Sequence, residues 1–335
     1  MGWKGTLRSM AAAQRQLERD AERRRRELAA QRQQLAKMDA LQRAALEVQE
    51  YENHIDLLLS VHKECSDKWD WGAVRSSEAP AAPALDQFKS RETSARAALD
   101  GYKPNAVKKL LGRSGTERAQ LAALVDSAVA DDRHEYEAAL RQHELDVLDW
   151  EAQRKLAARM LEREPEAYVD AIALTDPFND VRELGSSIEF HVASDRLVEA
   201  ILRVNSAQVV PSETKSLLQS GKLSVKPMPK GRFLEIYQDY VCSCVLRIAR
   251  ELFALLPIDM VTVTAVGDLL NTQTGHLEEK PILSVAIPRD TLEGLNTDSL
   301  DPSDSMGNFV HRMDFRKTTG FRAVEPIKPS DPQLA

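Results

Sequence analysis

From Thr6 to about Asp67 the chain contains no proline and no glycine. Its residues there are mainly Ala, Gln, Arg, Glu and Leu, the strong helix formers. A continuous helix of that length spans about 90 Å at 1.5 Å per residue, several times the width of a small domain. Such a helix is not stable alone and must lie against another element. Leu7, Met10, Leu17, Ala21, Leu28, Leu35 and Met38 follow an a/d heptad, and Leu41, Ala45, Val48, Ile55 and Leu59 continue it after a phase shift. Gln14, Arg24 and Gln31 interrupt the first seam, where a two-stranded coiled coil prefers Leu, Ile or Val.

Charge divides the chain. Residues 1–44 hold eleven Lys/Arg against five acids, a net of +6, while the whole chain carries −7. The remainder therefore carries −13. A basic arm on an acidic body predicts that the arm meets something acidic. The candidates are the chain's own second helix, a sister subunit, or nucleic acid through Arg23, Arg24, Arg25 and Arg26.

Residues 68–82 break the helix. Trp69 and Trp71 flank Asp70, and Ser76 to Pro83 reads as a connector. Helical character returns at 84–99, ends near Gly101 to Pro104, and a short piece runs from Asn105 to Leu111. Ser114 or Thr116 then caps a second long helix, expected to reach about Glu164. Leu121, Val125, Ala128, Tyr136, Leu140, His143, Val147, Trp150 and Leu161 trace its apolar stripe. Two long helices joined by short ones are expected to fold back as an antiparallel hairpin.

The grammar changes near Gly185. Segments 187–192 and 196–204 alternate like strands, and 260–266 and 281–287 read as buried strands. Between them, Gly221 to Arg232 reads as a basic, turn-rich loop. It opens an amphipathic helix with Tyr237, Val241, Cys244, Val245, Ile248, Leu252 and Leu256 on one face. Short helices at 291–296 and 302–311 and an extended end at 315–327 complete the pattern. The expected class is α+β: a helical, coiled-coil arm over 1–180 with a short-helix connector at 68–115, an α+β domain over 185–328, and a tail at 329–335. A fragment covering about 180–335 is expected to fold by itself.

Lys222, Lys226, Lys230 and Arg232 crowd the start of that amphipathic helix. Free N–H groups and the partial positive charge of a helix start combine there with four cations as a candidate anion or nucleic-acid site. No aromatic is interleaved for base stacking.

A second constellation is Asp268 at a strand end with Glu278, Glu279 and Lys280 leading into the next strand. It resembles the Asp…Glu-x-Lys arrangement of the PD-(D/E)xK nuclease superfamily. That resemblance implies two carboxylates holding Mg²⁺ and Lys280 orienting the attacking water, with Glu235 or Glu251 as a further ligand. Glu278 and Lys280 read as preceding the apolar strand instead of lying within it, and Thr274-Gly275-His276 reads as a turn tip. The expectation is that the turn carries Glu278 and Glu279 away from Asp268.

The three cysteines, Cys65, Cys242 and Cys244, give no disulfide framework, so a reducing, cytoplasmic setting is expected. Cys242 and Cys244 sit about 200° apart on one helix and read as core thiols. His62 and Cys65 share a helix face but lack a second pair with zinc-ligand spacing. No Walker A, dinucleotide, nucleophile-elbow or His-Glu-x-x-His pattern is present. The expected protein has no cofactor, no metal and no membrane span. It is a non-enzymatic scaffold that self-associates or docks a protein partner through its arm, with nucleic-acid binding and Mg²⁺-dependent cleavage as alternatives.

Overall fold

The computed structural model describes residues 40–104, 113–178, 186–204 and 209–331. The class is α+β, with a 49-residue helix and a C-terminal mixed sheet. The described residues divide into two compact units, one formed by 72–157 and the other by 40–71 together with 158–331. No described helix is long and apolar enough to cross a membrane.

The first unit is built on the long helix. The helices in chain order are α1 (Ala40–Ser60), which belongs to the second unit, then α2 (Trp71–Arg75), α3 (Ser90–Asp100) and α4 (Arg113–Leu161). α3 runs antiparallel to α4. Arg91 meets Glu135 at 3.0 Å, Phe88 packs on Tyr136, and just past the helix Tyr102 donates to Glu117 at 2.5 Å. Lys89, at the N-cap of α3, makes no side-chain cap bond. The buried carboxylate of Asp132 takes over, accepting the Glu92 N–H at 2.8 Å. The stretch expected to be a plain connector lies along the other end of α4. Trp150 donates its indole N–H to Ser77 Oγ at 3.0 Å, and Arg154 donates to the Arg75 carbonyl at 2.9 Å.

The second unit contains a six-stranded sheet in the order β1-β2-β5-β6-β7-β8. Its strands are β1 (Ser187–Val192), β2 (Leu197–Arg203), β5 (Met260–Leu270), β6 (Leu277–Pro288), β7 (Val310–Arg316) and β8 (Gly320–Arg322). Only β2 and β5 run parallel. The connection between them holds the hairpin of β3 (Glu213–Leu217) and β4 (Leu223–Pro227) and then the long helix α6 (Lys230–Leu255). α5 (Pro165–Thr175), α7 (Arg289–Glu293) and α8 (Pro302–Ser305) complete the unit. Residues 282–287 of β6 are buried on both faces, as the unbroken apolar run predicts.

α6 is buried around nearly its whole circumference, because β5 lies on one side and α1 on another. Gly267 on β5 is what lets the helix come so close. A Cβ there would stand 3.0 Å from both the Tyr237 hydroxyl and Ile282 Cδ1. Gly320, at φ +85°, turns the chain into β8 where a Cβ would meet Leu234 at 2.9 Å.

Several boundaries differ from the sequence reading. The first helix gives way to a 3-10 turn at Val61–Lys63 and ends there, short of Asp67. The segment expected as a basic loop contains strand β4, paired with β3 from Glu213↔Pro227 to Leu217↔Leu223. The helix expected at 302–311 stops early. A 3-10 turn at Met306–Asn308 leads into β7, whose Val310 to Met313 pair with Ala286 to Leu283 of β6. The pairing groups of β6 decide this over the local helical spacing.

Candidate functional site

The densest set of functional side chains lies where α1 and the segment after it meet α6. Ala44, Val48, Ile55 and Leu58 recur at helical spacing and are buried, the apolar stripe of α1. Past that stripe the contact turns polar. Ser243, Arg247, Arg250, Glu251 and Ala254 fall at i, i+4, i+7, i+8 and i+11 on α6, and each meets a residue of 62–69 or a partner of one.

Ser243 Oγ accepts the backbone N–H of His62 at 2.9 Å and lies 2.8 Å from His62 Nδ1. The Ser243 hydroxyl can donate its proton to Nδ1 while its oxygen accepts the His62 N–H. In that arrangement the imidazole proton sits on Nε2, the side where the Thr297 backbone lies. His62 is fully buried. Burial, then the charge of Lys63, pushes its pKa below the ordinary 6.5, so the ring is neutral near pH 7. Arg250 donates to the carbonyls of His62 and, at 3.1 Å, of Lys63. It occupies the C-terminal acceptors of the 3-10 turn, which explains why the helix ends there.

Arg247 and Glu251 form a buried ion pair at 2.8 Å, and Glu251 also accepts the Ser66 N–H at 3.0 Å. The last carbonyls of α6 are occupied in turn. Ala254 accepts the Trp69 N–H at 2.8 Å and Leu255 accepts the Trp71 indole N–H at 2.7 Å, with the two tryptophans stacked at 5.0 Å. Arg289 takes Phe253 at 2.9 Å, Leu256 at 2.6 Å and Ile258 at 2.8 Å, and its guanidinium lies over the Phe253 ring. Cations at a helix C-terminus also oppose its partial negative charge.

A cavity of about 240 Å³ opens beside this seam, lined by Cys65, Arg250, Phe253, Leu292, Glu293 and Thr297 among others. Burial and the Glu251 charge push the Cys65 thiol up to about 11, so at neutral pH it is not a thiolate nucleophile. The seam holds two buried pairs, Arg247 with Glu251 and His62 with Ser243, away from solvent. What it does chemically is fix residues 62–71 on α6.

The nuclease-like set lies on the β5–β6 hairpin. Glu278 and Lys280 lie within β6, not ahead of it. Asp268 pairs in register with Glu279, and Leu269 with Glu278. Side chains alternate along a strand, so Asp268 and Glu279 share one face while Glu278 and Lys280 share the other. Lys280 reaches Glu278 at 3.1 Å, and Asn271 donates to Glu278 at 2.6 Å. Those two bonds, Asn271 first, hold the Glu278 carboxyl below its usual range. Glu279 lies 3.6 Å from Arg203 instead. Glu235 pairs with Lys317 at 2.7 Å, and Glu251 is the buried partner of Arg247. Among the described residues no group of three or more His, Cys, Asp or Glu side chains is placed to hold a metal ion.

Of the basic residues, Lys222 lies in the β3–β4 turn and Lys226 on β4, while Lys230 and Arg232 lie in the first turn of α6. All four are exposed, and the N-cap Pro229 offers no side-chain cap. Arg232 faces Glu235 at 4.0 Å. Arg23, Arg24, Arg25 and Arg26 lie outside the described residues. Cys242 and Cys244 are fully buried free thiols, as their spacing predicts.

The sequence reading paired His62 only with Cys65 and missed Ser243, Arg247, Arg250 and Arg289. One signal was present: Arg247 and Glu251 stand at i, i+4 inside an otherwise apolar stretch of helix. Compared with models of protein families, with characterised proteins and with solved structures, the chain matches none.

Proposed function

We propose that this chain is a non-enzymatic scaffold or adaptor that docks a protein partner, or a second copy of itself, through its long helices. The observation that carries the reading is the surface of α4. Leu145 and Leu148 are 59% and 63% exposed, three residues apart on one face of a helix that offers far more length than the 11-residue α3 can cover. Exposed apolar rows on long helices mark association surfaces. Replacing Leu145 and Leu148 with Asp leaves the fold intact and lowers the assembly mass in light scattering, or abolishes capture of the partner. An unchanged mass together with unchanged capture removes the reading.

The finer form of this proposal is that residues 6–39 continue α1 as a helix running antiparallel to α4. Crosslinks of residues 6–10 near 155–161 support that direction, and crosslinks of residues 6–10 near 113–121 reverse it. A second reading is nucleic-acid binding by Lys222, Lys226, Lys230 and Arg232, favoured by their exposure beside the uncapped start of α6. Binding through phosphates falls steeply with salt, whereas apolar docking does not.

A further inference from the structure

β1 is the outermost strand of the six-stranded sheet: β2 pairs with one side of it, and no described strand pairs with the other. Its register with β2 runs without a shift, and Ala193, just past it, donates to the Leu197 carbonyl at 3.0 Å. Hydrogen-bonded pairs alternate along an antiparallel ladder, so Ser187, Glu189 and His191 follow Ala193 and bond β2. The N–H and C=O groups of Ile188, Phe190 and Val192 therefore point away from the sheet. Exposed edges are ordinarily blunted by proline, lysine, a bulge or a covering element. β1 contains no proline, glycine, lysine or arginine.

We propose that this edge is an interface between two copies of the chain, β1 pairing antiparallel with β1 across a two-fold axis so that one sheet runs through both. The register follows from the residues. Faces stay matched only when residues of like parity oppose one another. Centring the axis on Glu189 sets that carboxylate against itself, and like charges directly opposite are unfavourable. Centring it on His191 sends Ile188 past the end of the partner strand. Centring it on Phe190 uses every outward group: Phe190 meets Phe190, and Ile188 meets Val192, each pair with reciprocal backbone bonds. The same register sets Glu189 against His191, both exposed, in the positions where side chains approach most closely, with Cβ atoms about 5 Å apart. Glu189 already accepts from Arg203 at 2.6 Å, and its carboxylate has lone pairs left for an imidazole N–H. On the other face Phe190, which packs on Phe178 at 6.1 Å, gains an aromatic neighbour. This edge is separate in sequence from Leu145 and Leu148, so the inference does not rest on the long-helix reading.

Cysteine crosslinking and light scattering on the full chain test it. Mixing Glu189→Cys with His191→Cys protein under a mild oxidant is expected to give at least tenfold more crosslinked dimer than Glu189→Cys alone or the natural sequence. Ile188→Pro removes an outward N–H and no bond to β2, so it is expected to weaken the dimer at least tenfold with the melting curve unchanged. Equal crosslinking in the mixture and in Glu189→Cys alone overturns the register. A natural protein that stays monomeric at micromolar concentration overturns the interface. An assembly mass that survives Ile188→Pro but is lost in the Leu145→Asp, Leu148→Asp protein overturns this edge and leaves the long-helix reading standing. The converse pattern upholds the edge and removes that reading.

Discussion

Asp132 caps a helix to which it does not belong: its carboxylate accepts the Glu92 amide, forty residues earlier in the chain, at 2.8 Å. The N-terminus of α3 has four backbone donors without helical acceptors, and its own N-cap residue supplies none. Asp132→Ala is expected to lower stability to urea by about 1 kcal/mol, the usual worth of a cap. Asp132→Asn, which keeps an acceptor oxygen, retains most of it. If the alanine variant unfolds at the same urea concentration as the natural sequence, the bond contributes nothing.

The Arg247–Glu251 pair gives a sharper contrast. Glu251→Gln or Arg247→Met alone strands one buried charge and is expected to cost about 3–5 kcal/mol. The double replacement Arg247→Met with Glu251→Leu removes both charges and costs much less than the two single changes added. Denaturant unfolding of the four proteins measures the coupling, and strict additivity would contradict the paired arrangement.

Acid should loosen the seam through His62. Its folded pKa is held below 6.5, so the folded state binds fewer protons than the unfolded state as pH falls. The stabilisation is therefore fully present above about pH 6.5 and is lost as pH drops through the folded value. The thermal midpoint of the natural protein falls with acid more steeply than that of His62→Asn over the same window. Parallel curves would show that His62 does not contribute. On the alkaline side Cys65 behaves oppositely. Native Cys65 alkylates slowly at pH 8 and accelerates toward pH 11, with Cys65→Ser as the blank.

Removing Trp71 tests the end of α6. Trp71→Phe keeps the ring but loses the N–H to the Leu255 carbonyl, and is expected to cost about 1–3 kcal/mol for the unpaired buried acceptor. The same logic sets what can fold alone. A fragment starting at 180 lacks every partner in 40–71, and is expected to melt without cooperativity, whereas adding residues 40–71 in trans restores a transition. A sharp melt of 180–335 by itself would vindicate the simpler boundary near 180.

How far the sequence could be read depended on what each face of an element touches. The face of α6 carrying Tyr237, Val241, Cys244, Ile248 and Leu252 was legible because it is uniformly apolar. The face that meets residues 62–69 was not, because Ser243, Arg247, Arg250 and Glu251 look like an ordinary solvated surface. Their partners lie about 180 residues earlier, and the i, i+4 spacing of Arg247 and Glu251 marks a buried pair without naming the segment it meets. Strands β1, β2, β5 and β6 announced themselves through alternation or apolar runs. β3, β4 and β7 did not, being short or half-exposed and rich in Lys, Arg and Ser. Asp268, Glu278 and Lys280 were found on the expected hairpin, but which face each takes is a matter of register, which spacing in sequence does not determine. His62 was noticed for the wrong neighbour, since the hydroxyl it meets belongs to α6.

The two helix ends in the seam are finished by each other. Arg250 closes the turn after α1, and Trp69 and Trp71 close α6. On the ribosome that reciprocity becomes a delay. Residues 62–71 emerge about 180 residues before their acceptors and donors, a wait on the order of 10–40 s at typical synthesis rates of roughly 5–20 residues per second. Throughout that interval the stripe Ala44, Val48, Ile55 and Leu58 has no α6 to cover it. Whatever first meets the nascent arm, chaperone or assembly partner, competes for the same surface that the finished protein hides.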